Sequence, residues 1–156
     1  MLKITDQYFW NFVFIIFFGF LLVMAVIILE TESRIKLAEV SLFDLALITL
    51  ASWRLTHFFG VDHTTKFLRE QLYDLKQTTK SLSLEKPKAG PRRTLIDLIT
   101  SPYSFGLWMT TSVTFFYLLS AYAFYIVVIL ALSAIVALLQ IILLQWGHQS
   151  NSSTAE

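Results

Sequence analysis

Four long apolar runs divide this chain, and the polar stretches between them are short except for one. Tyr8–Leu29 carries no charged residue, and at about 1.5 Å per residue it reaches roughly 33 Å, enough to cross a hydrocarbon core of about 30 Å. Val40–Phe59 holds Asp44 near one end and Arg54 and His57 near the other, positions from which charged groups snorkel to an interface. A helix lying in the interface, or covered by partners, is the alternative for this run. Residues Phe105–Trp146 are almost continuously apolar. As one helix they would reach about 63 Å, twice what a bilayer covers, so the run must fold back. No Gly or Pro marks the turn, which is expected near Ser120, Ala121 and Tyr122, with helices over Pro102–Leu119 and Ala123–Gln145. The pattern predicts an all-α polytopic membrane protein with four transmembrane helices.

The first run competes with a cleavable signal. It is longer than a signal core, Lys3 is the only basic side chain ahead of it, and Glu30-Thr31-Glu32 replaces a small-residue cleavage site. It reads as a retained signal anchor. Residues 1–39 then form that anchor and a short outer loop, 40–146 a membrane domain, and 147–156, rich in Ser and Asn, a disordered tail.

The one long polar connector, Gly60–Thr100, has three parts. Asp62 can cap a helix running to about Gln77, in which Leu68, Leu72 and Leu75 form an i, i+4, i+7 stripe. Such a cytoplasmic amphipathic helix would lie on the membrane surface or against a partner. Thr78–Arg93 contains Pro87, Gly90, Pro91 and five basic residues against Glu85 alone, and reads as a mobile polybasic linker. Thr94–Thr100 resumes an apolar pattern, with Asp97 three residues after Thr94 as at a capping-box start.

Composition fits this layout: of 156 residues, 56% are hydrophobic and 15% charged, and the excess is segregated into runs. The net charge of +1 hides an imbalance, because eight of the twelve Lys and Arg lie between Lys66 and Arg93 while the Glu30–Glu39 loop has two. The positive-inside rule then puts the connector and both termini in the cytoplasm of a multi-pass plasma (inner) membrane protein. Trp10, Trp53, Trp108 and Trp146 all fall at the cytoplasmic ends of the expected helices, as in an aromatic belt. The chain has no cysteine, which excludes disulfides, thiolate metal sites and Cys nucleophiles.

Little in the sequence carries chemistry. Gly106, Thr110 and Thr114 recur every four residues, a small-residue ridge that permits close helix approach, with Ser133 and Ala137 expected opposite Thr110 and Gly106. The ridge serves hairpin packing or a partner face. Arg54 and His57, at i, i+3, suit a proton relay, a lipid phosphate or simple snorkelling beside a solvated imidazole. A buried Asp44 would need a partner from another helix or subunit. His57, His63 and His148 show no zinc spacing, no catalytic motif is present, and no cofactor is expected. The basic linker suits anionic lipid, at about 1 kcal/mol per cation near a surface. Nucleic acid is not expected, because no aromatic residue interleaves the cations.

Two segments carry a resemblance. Leu45 to Thr56, ending Trp53-Arg54-Leu55-Thr56 and followed by Asp62, Thr65 and Leu68-Arg69, is similar to the domain-of-unknown-function family thirteen-sixty. So is Leu98-Ile99-Thr100-Ser101-Pro102-Tyr103-Ser104-Phe105-Gly106-Leu107-Trp108. That family comprises small bacterial membrane proteins of unassigned activity, some labelled sporulation proteins, and the likeness covers roughly Leu42–Leu144. The family's Cys-Pro-x-Cys motif falls on Ser101 and Ser104, so any thiolate role of that pair is absent here. What the resemblance then implies is structural: Ser101 caps the third helix, Pro102 suits its first turn, Gly106 allows close packing, and Trp108 anchors at the interface. Arg54 is expected to fold back onto Asp62 or Asp97. The function expected is a non-enzymatic accessory or scaffold subunit that joins a membrane-protein partner or a homo-oligomer. Alternatives are a self-assembling pore using Thr110, Thr111, Ser112 and Thr114, and a lipid-headgroup enzyme using Arg54, His57 and Asp62.

Overall fold

The computed structural model describes residues 6–78 and 81–153. Six α-helices follow in order: α1 (Asp6–Glu32), α2 (Leu42–Gly60), α3 (Lys66–Glu70), α4 (Pro91–Thr100), α5 (Pro102–Leu119) and α6 (Ala121–Ser153). Short 3-10 turns cover Leu37–Glu39 and His63–Thr65, and a two-stranded hairpin, β1 (Asp74–Thr78) and β2 (Ser81–Glu85), precedes α4. The all-α class holds, with this hairpin as its one addition among the described residues.

The expectation of four transmembrane helices does not hold. Among the described residues, only Gln7–Glu32 within α1 and Ala121–Trp146 within α6 are long and apolar enough to cross a membrane. With 19 and 18 residues, α2 and α5 reach about 28 and 27 Å, short of a core of about 30 Å. The first includes Asp44, Arg54 and His57, and the second a run of hydroxyl residues, so length and polarity act together. The apolar runs read from the sequence were continuous enough for four spans but did not measure the helices inside them.

The core is built around α2. Leu47, Ile48 and Ala51 of α2 cluster with Val113, Tyr117 and Leu118 of α5 and with Val127 and Ala131 of α6. Ala51 and Ala134 are completely buried, and small residues at such a contact let helix backbones approach closely. Helix α2 therefore packs against both α5 and α6. Gly106 of α5 faces Thr56 of α2, whose side chain a Cβ there would meet at 3.8 Å, and Ser133 of α6 bonds Arg54 of α2. Gly106 of the small-residue ridge thus opposes α2 rather than the α6 position expected for it, while Thr110 is exposed.

Local signals set the helix ends. Ser41 and Asp44 form a reciprocal capping box on α2, which satisfies orphan N–H groups at its start. Ser101 caps α5, with Pro102 in the first turn, where its missing N–H costs nothing. Ser120 alone separates α5 from α6, at the expected fold-back. Gly90, with φ of 108°, precedes Pro91 at the start of α4; this left-handed backbone is open to glycine at little cost.

Three expectations about the connector fail. The amphipathic helix to Gln77 is instead a 3-10 turn, the five-residue α3 and a strand. The polybasic stretch enters a hairpin with Leu75 opposite Leu84 and Gln77 opposite Leu82. Ser81-Leu82-Ser83-Leu84 alternates with a period of two, which competes with the leucine stripe of period 3.6. The tip of the hairpin, residues 79–80, and the side chain of Leu75 lie outside the described residues. Helix α4 starts at Pro91, so Thr94 lies inside it rather than capping it. At the C-terminus α6 runs through Ser153, where a disordered tail from Gly147 was expected; 154–156 lie outside the described residues, as does Lys3.

Candidate functional site at the basic end of the bundle

Both family-like segments converge at one end of the bundle, where α2 finishes and α4 and α5 meet. A helix C-terminus leaves its last carbonyls without partners, and α2 resolves this with side chains from the next 10 residues. The Thr65 hydroxyl, 3% exposed, donates to the carbonyl of Phe58 at 2.5 Å. Arg69 Nη1 donates to the carbonyl of Phe59 at 2.9 Å and lies 3.4 Å from Thr65 Oγ1. A cation at a helix C-terminus also opposes the helix dipole favourably. The Asp62 side chain does not cap a helix; it accepts from Thr64 at 3.3 Å and faces Arg54.

Arg54 links three elements. Its Nε donates to Ser133 Oγ of α6 at 2.9 Å, and its Nη2 lies 4.0 Å from Asp62 Oδ2. Arg54 and Asp62 therefore meet, whereas Asp97 pairs with Lys86 and, at 3.7 Å, with Arg93. Arg92 in turn donates to Asp74 at 3.0 Å and to the carbonyl of Gln71. These cations are held by carboxylates and carbonyls, so the stretch expected as a mobile linker is tied to α4. His57 stacks on Trp53, with ring centroids 4.6 Å apart.

The second segment is also structural. Ser101 Oγ accepts from the Ser104 N–H at 3.5 Å and lies 3.3 Å from the Ser104 hydroxyl, so these serines form the α5 cap. Trp108 packs on Phe18 and Phe17 of α1, with centroids 4.7 and 6.3 Å away. The α1 N-terminus joins the same end of the bundle: Gln7 Nε2 donates to Thr94 Oγ1 at 2.9 Å, and Thr94 donates to Asn11 Oδ1 at 3.1 Å. Of the leucine stripe, Leu68 borders an apolar cleft with Phe59, Ile99 and Phe105, and Leu72 borders a small void with Ile96 and Ile99 of α4.

Sequence reasoning set Ser133 opposite Thr110 rather than against Arg54, and missed Gln7 and Asn11. Each is an ordinary polar residue on an apolar helix, which is itself the only available signal: a polar group there needs a partner. It also missed Tyr117 at the opposite end, which supplies the interhelical partner that Asp44 needs. Tyr117 Oη donates to Asp44 Oδ1. That bond and those from Ser41 hold the Asp44 carboxyl below the ordinary carboxylate range, while burial, then the bond to Asp44, pushes the Tyr117 phenol up to about 12. Nearby, Arg34 N–H donates to the Leu118 carbonyl at 2.9 Å.

Chemically, the basic end is a clamp, with donors and acceptors directed at one another between α1 and α4 and between α2 and α6. Among the described residues no group of three or more His, Asp or Glu could hold a metal ion. A family model described as a protein of unknown function, DUF1360, matches residues 47–143. No curated protein and no solved structure matches.

Proposed function

This chain belongs to the DUF1360 family of proteins of unknown function, and from that premise we propose that it is a multi-pass integral membrane protein serving as a non-enzymatic accessory or scaffold subunit. The observation that carries this reading is the unburied apolar surface of α1 and α6. None of the spanning window of α1 and only 17% of that of α6 is buried within the chain, and Phe12, Ile15, Phe20, Ile129 and Leu143 are all more than half exposed. A buried core helix of a soluble protein has no such surface, and contiguous apolar area of this size needs lipid or a protein partner.

The basic end faces the cytoplasm in this reading, in keeping with the eight cations of the connector. The α1 N-terminus lies at that end through Gln7 and Thr94, and the Arg34 loop lies at the other beside Leu118. The polar groups serve assembly rather than turnover: Arg54 and Asp62 engage each other, and His57 rests on Trp53. The pore alternative is disfavoured by the hydroxyls of Thr111, Ser112 and Thr114, which return to carbonyls of their own helix.

Gentle detergent extraction of the native protein, followed by affinity capture and mass measurement, tests the reading. A stoichiometric membrane-protein partner supports it. A homogeneous homo-oligomer that conducts ions in liposomes would replace it with the pore.

A further inference from the structure

At the end of the bundle away from the basic connector, a cleft of about 410 Å³ lies between the last turns of α1, the loop after it and Leu118 of α5. Val26, Leu29 and Glu30 line it from one face of α1, at i, i+3 and i+4. Ser33 continues that wall, its N–H donating to the Leu29 carbonyl at 3.2 Å. Ile35 and Lys36 line the facing side, where the N–H groups of Arg34 and Ile35 donate to the Leu118 carbonyl at 2.9 and 3.4 Å. The cleft thus has an apolar depth at Val26, one helical turn nearer the middle of α1, and a polar rim at Glu30, Ser33 and Lys36. Two ionised side chains line it, one of each sign, and both are exposed. Among the described residues, the side chains of Glu30, Ser33 and Lys36 enter no ion pair or hydrogen bond, with one another or with any other group. Lys86, Arg92 and Arg93 at the basic end, by contrast, are already paired with carboxylates.

We infer that this cleft binds one zwitterionic aminophospholipid, with its ammonium at Glu30, its phosphate at Lys36 and Ser33, and an acyl chain along Val26 and Leu29. The inference rests on the membrane reading above. Glu30 stands in the last turn of a helix long and apolar enough to span, which sets the rim at head-group depth and Val26 among acyl chains. Unpaired charges of opposite sign call for a ligand that carries both signs, and charge-assisted hydrogen bonds reward one that donates to the carboxylate and accepts from the ammonium of Lys36. Phosphatidylglycerol would leave Glu30 unmatched and set a phosphate beside its carboxylate. A choline head has no N–H to donate to it. Free phosphoethanolamine would match the rim but leave Val26, 59% exposed, uncovered.

The test uses full-length protein extracted from membranes, stripped of lipid in detergent and titrated with phosphatidylethanolamine, with bound lipid counted by native mass spectrometry. One lipid should bind saturably, about tenfold more tightly than phosphatidylglycerol or phosphatidylcholine. Free phosphoethanolamine should not displace it. Glu30→Gln should erase the preference over phosphatidylglycerol, and Lys36→Gln should weaken phosphatidylethanolamine about tenfold. Both side chains are exposed and bond to nothing within the described chain, so these variants keep the fold. Val26→Trp, which fills the apolar depth, should weaken phosphatidylethanolamine as well. Equal affinity for the three lipids would overturn the site, as would binding unchanged in both Glu30→Gln and Lys36→Gln. Displacement by phosphoethanolamine would overturn the assignment to a lipid. Failure of the protein to fractionate with membranes would overturn the membrane reading itself; a membrane-resident protein without saturable binding overturns only the cleft.

Discussion

Helices α1 and α2 invert the usual link between apolarity and burial. α1 is the more apolar, yet its spanning window buries nothing within the chain. α2 carries Asp44, Arg54 and His57, yet it supplies Leu47, Ile48, Ala51 and Ser52 to the interior and packs on both α5 and α6. The difference teaches that in this protein hydropathy reports what surrounds a helix, while small residues and placed polar groups report what it packs against. The family boundary follows the second property: the match over residues 47–143 begins inside α2 and leaves α1 out.

The largest effect that would break this contrast comes from the interior that α2 shares with α5 and α6. Ala51 is completely buried, so Ala51→Phe should cost about 3 kcal/mol or more, or abolish the folded state, because overpacked helices must separate. Thermal unfolding in detergent reads this directly. Arg54→Ala should cost about 1–3 kcal/mol by leaving Ser133 without its donor and Asp62 without its ion-pair partner. Arg54→Lys should recover little, because an ammonium cannot reproduce the guanidinium's simultaneous reach to both.

Tyr117→Phe should cost about 1 kcal/mol near neutral pH and should change the pH dependence. The folded Asp44 carboxyl lies below its unfolded value of about 3.9, so its contribution is present above that pH and is lost as pH falls through the lowered folded value. The Tyr117 phenol, raised to about 12, contributes stability that is present below its unfolded value of about 10 and is lost as pH rises through the folded one. Both limbs should flatten in the variant, as read by melting temperature against pH. The smallest effect belongs to α1. Phe12→Ala and Ile16→Ala, at side chains 61% and 56% exposed, should leave the melting temperature of the detergent-solubilised protein within about 0.5 kcal/mol equivalent of wild type.

What the sequence disclosed was mainly local. Ser101 and Pro102 announce the α5 start within one turn, Ser120 sits where a run too long for one crossing must bend, and Arg54 reaches Asp62 only eight residues on. What stayed hidden was decided at a distance or by competition between patterns. Ser133 meets Arg54 across 79 residues, and Tyr117 meets Asp44 across 73. Neither partner has a spacing rule. The Leu68, Leu72, Leu75 stripe was read as one helix, but only Leu68 lies in α3, and Leu75 falls in β1, which pairs with Ser81–Glu85. The number of spans was misread because an apolar run was equated with a helix of spanning length, and α2 and α5 fall short.

The cysteine-free sequence allows the central claim, an apolar α1 anchor that separates a cytoplasmic basic end from an outer loop, to be tested by single-cysteine labelling. Glu32→Cys and Lys88→Cys place one thiol each at exposed positions on opposite ends of the molecule. In intact cells a membrane-impermeant maleimide should label Glu32→Cys and reach Lys88→Cys only after permeabilisation. Labelling of Lys88→Cys from outside in sealed cells, or equal labelling of both, would contradict the account.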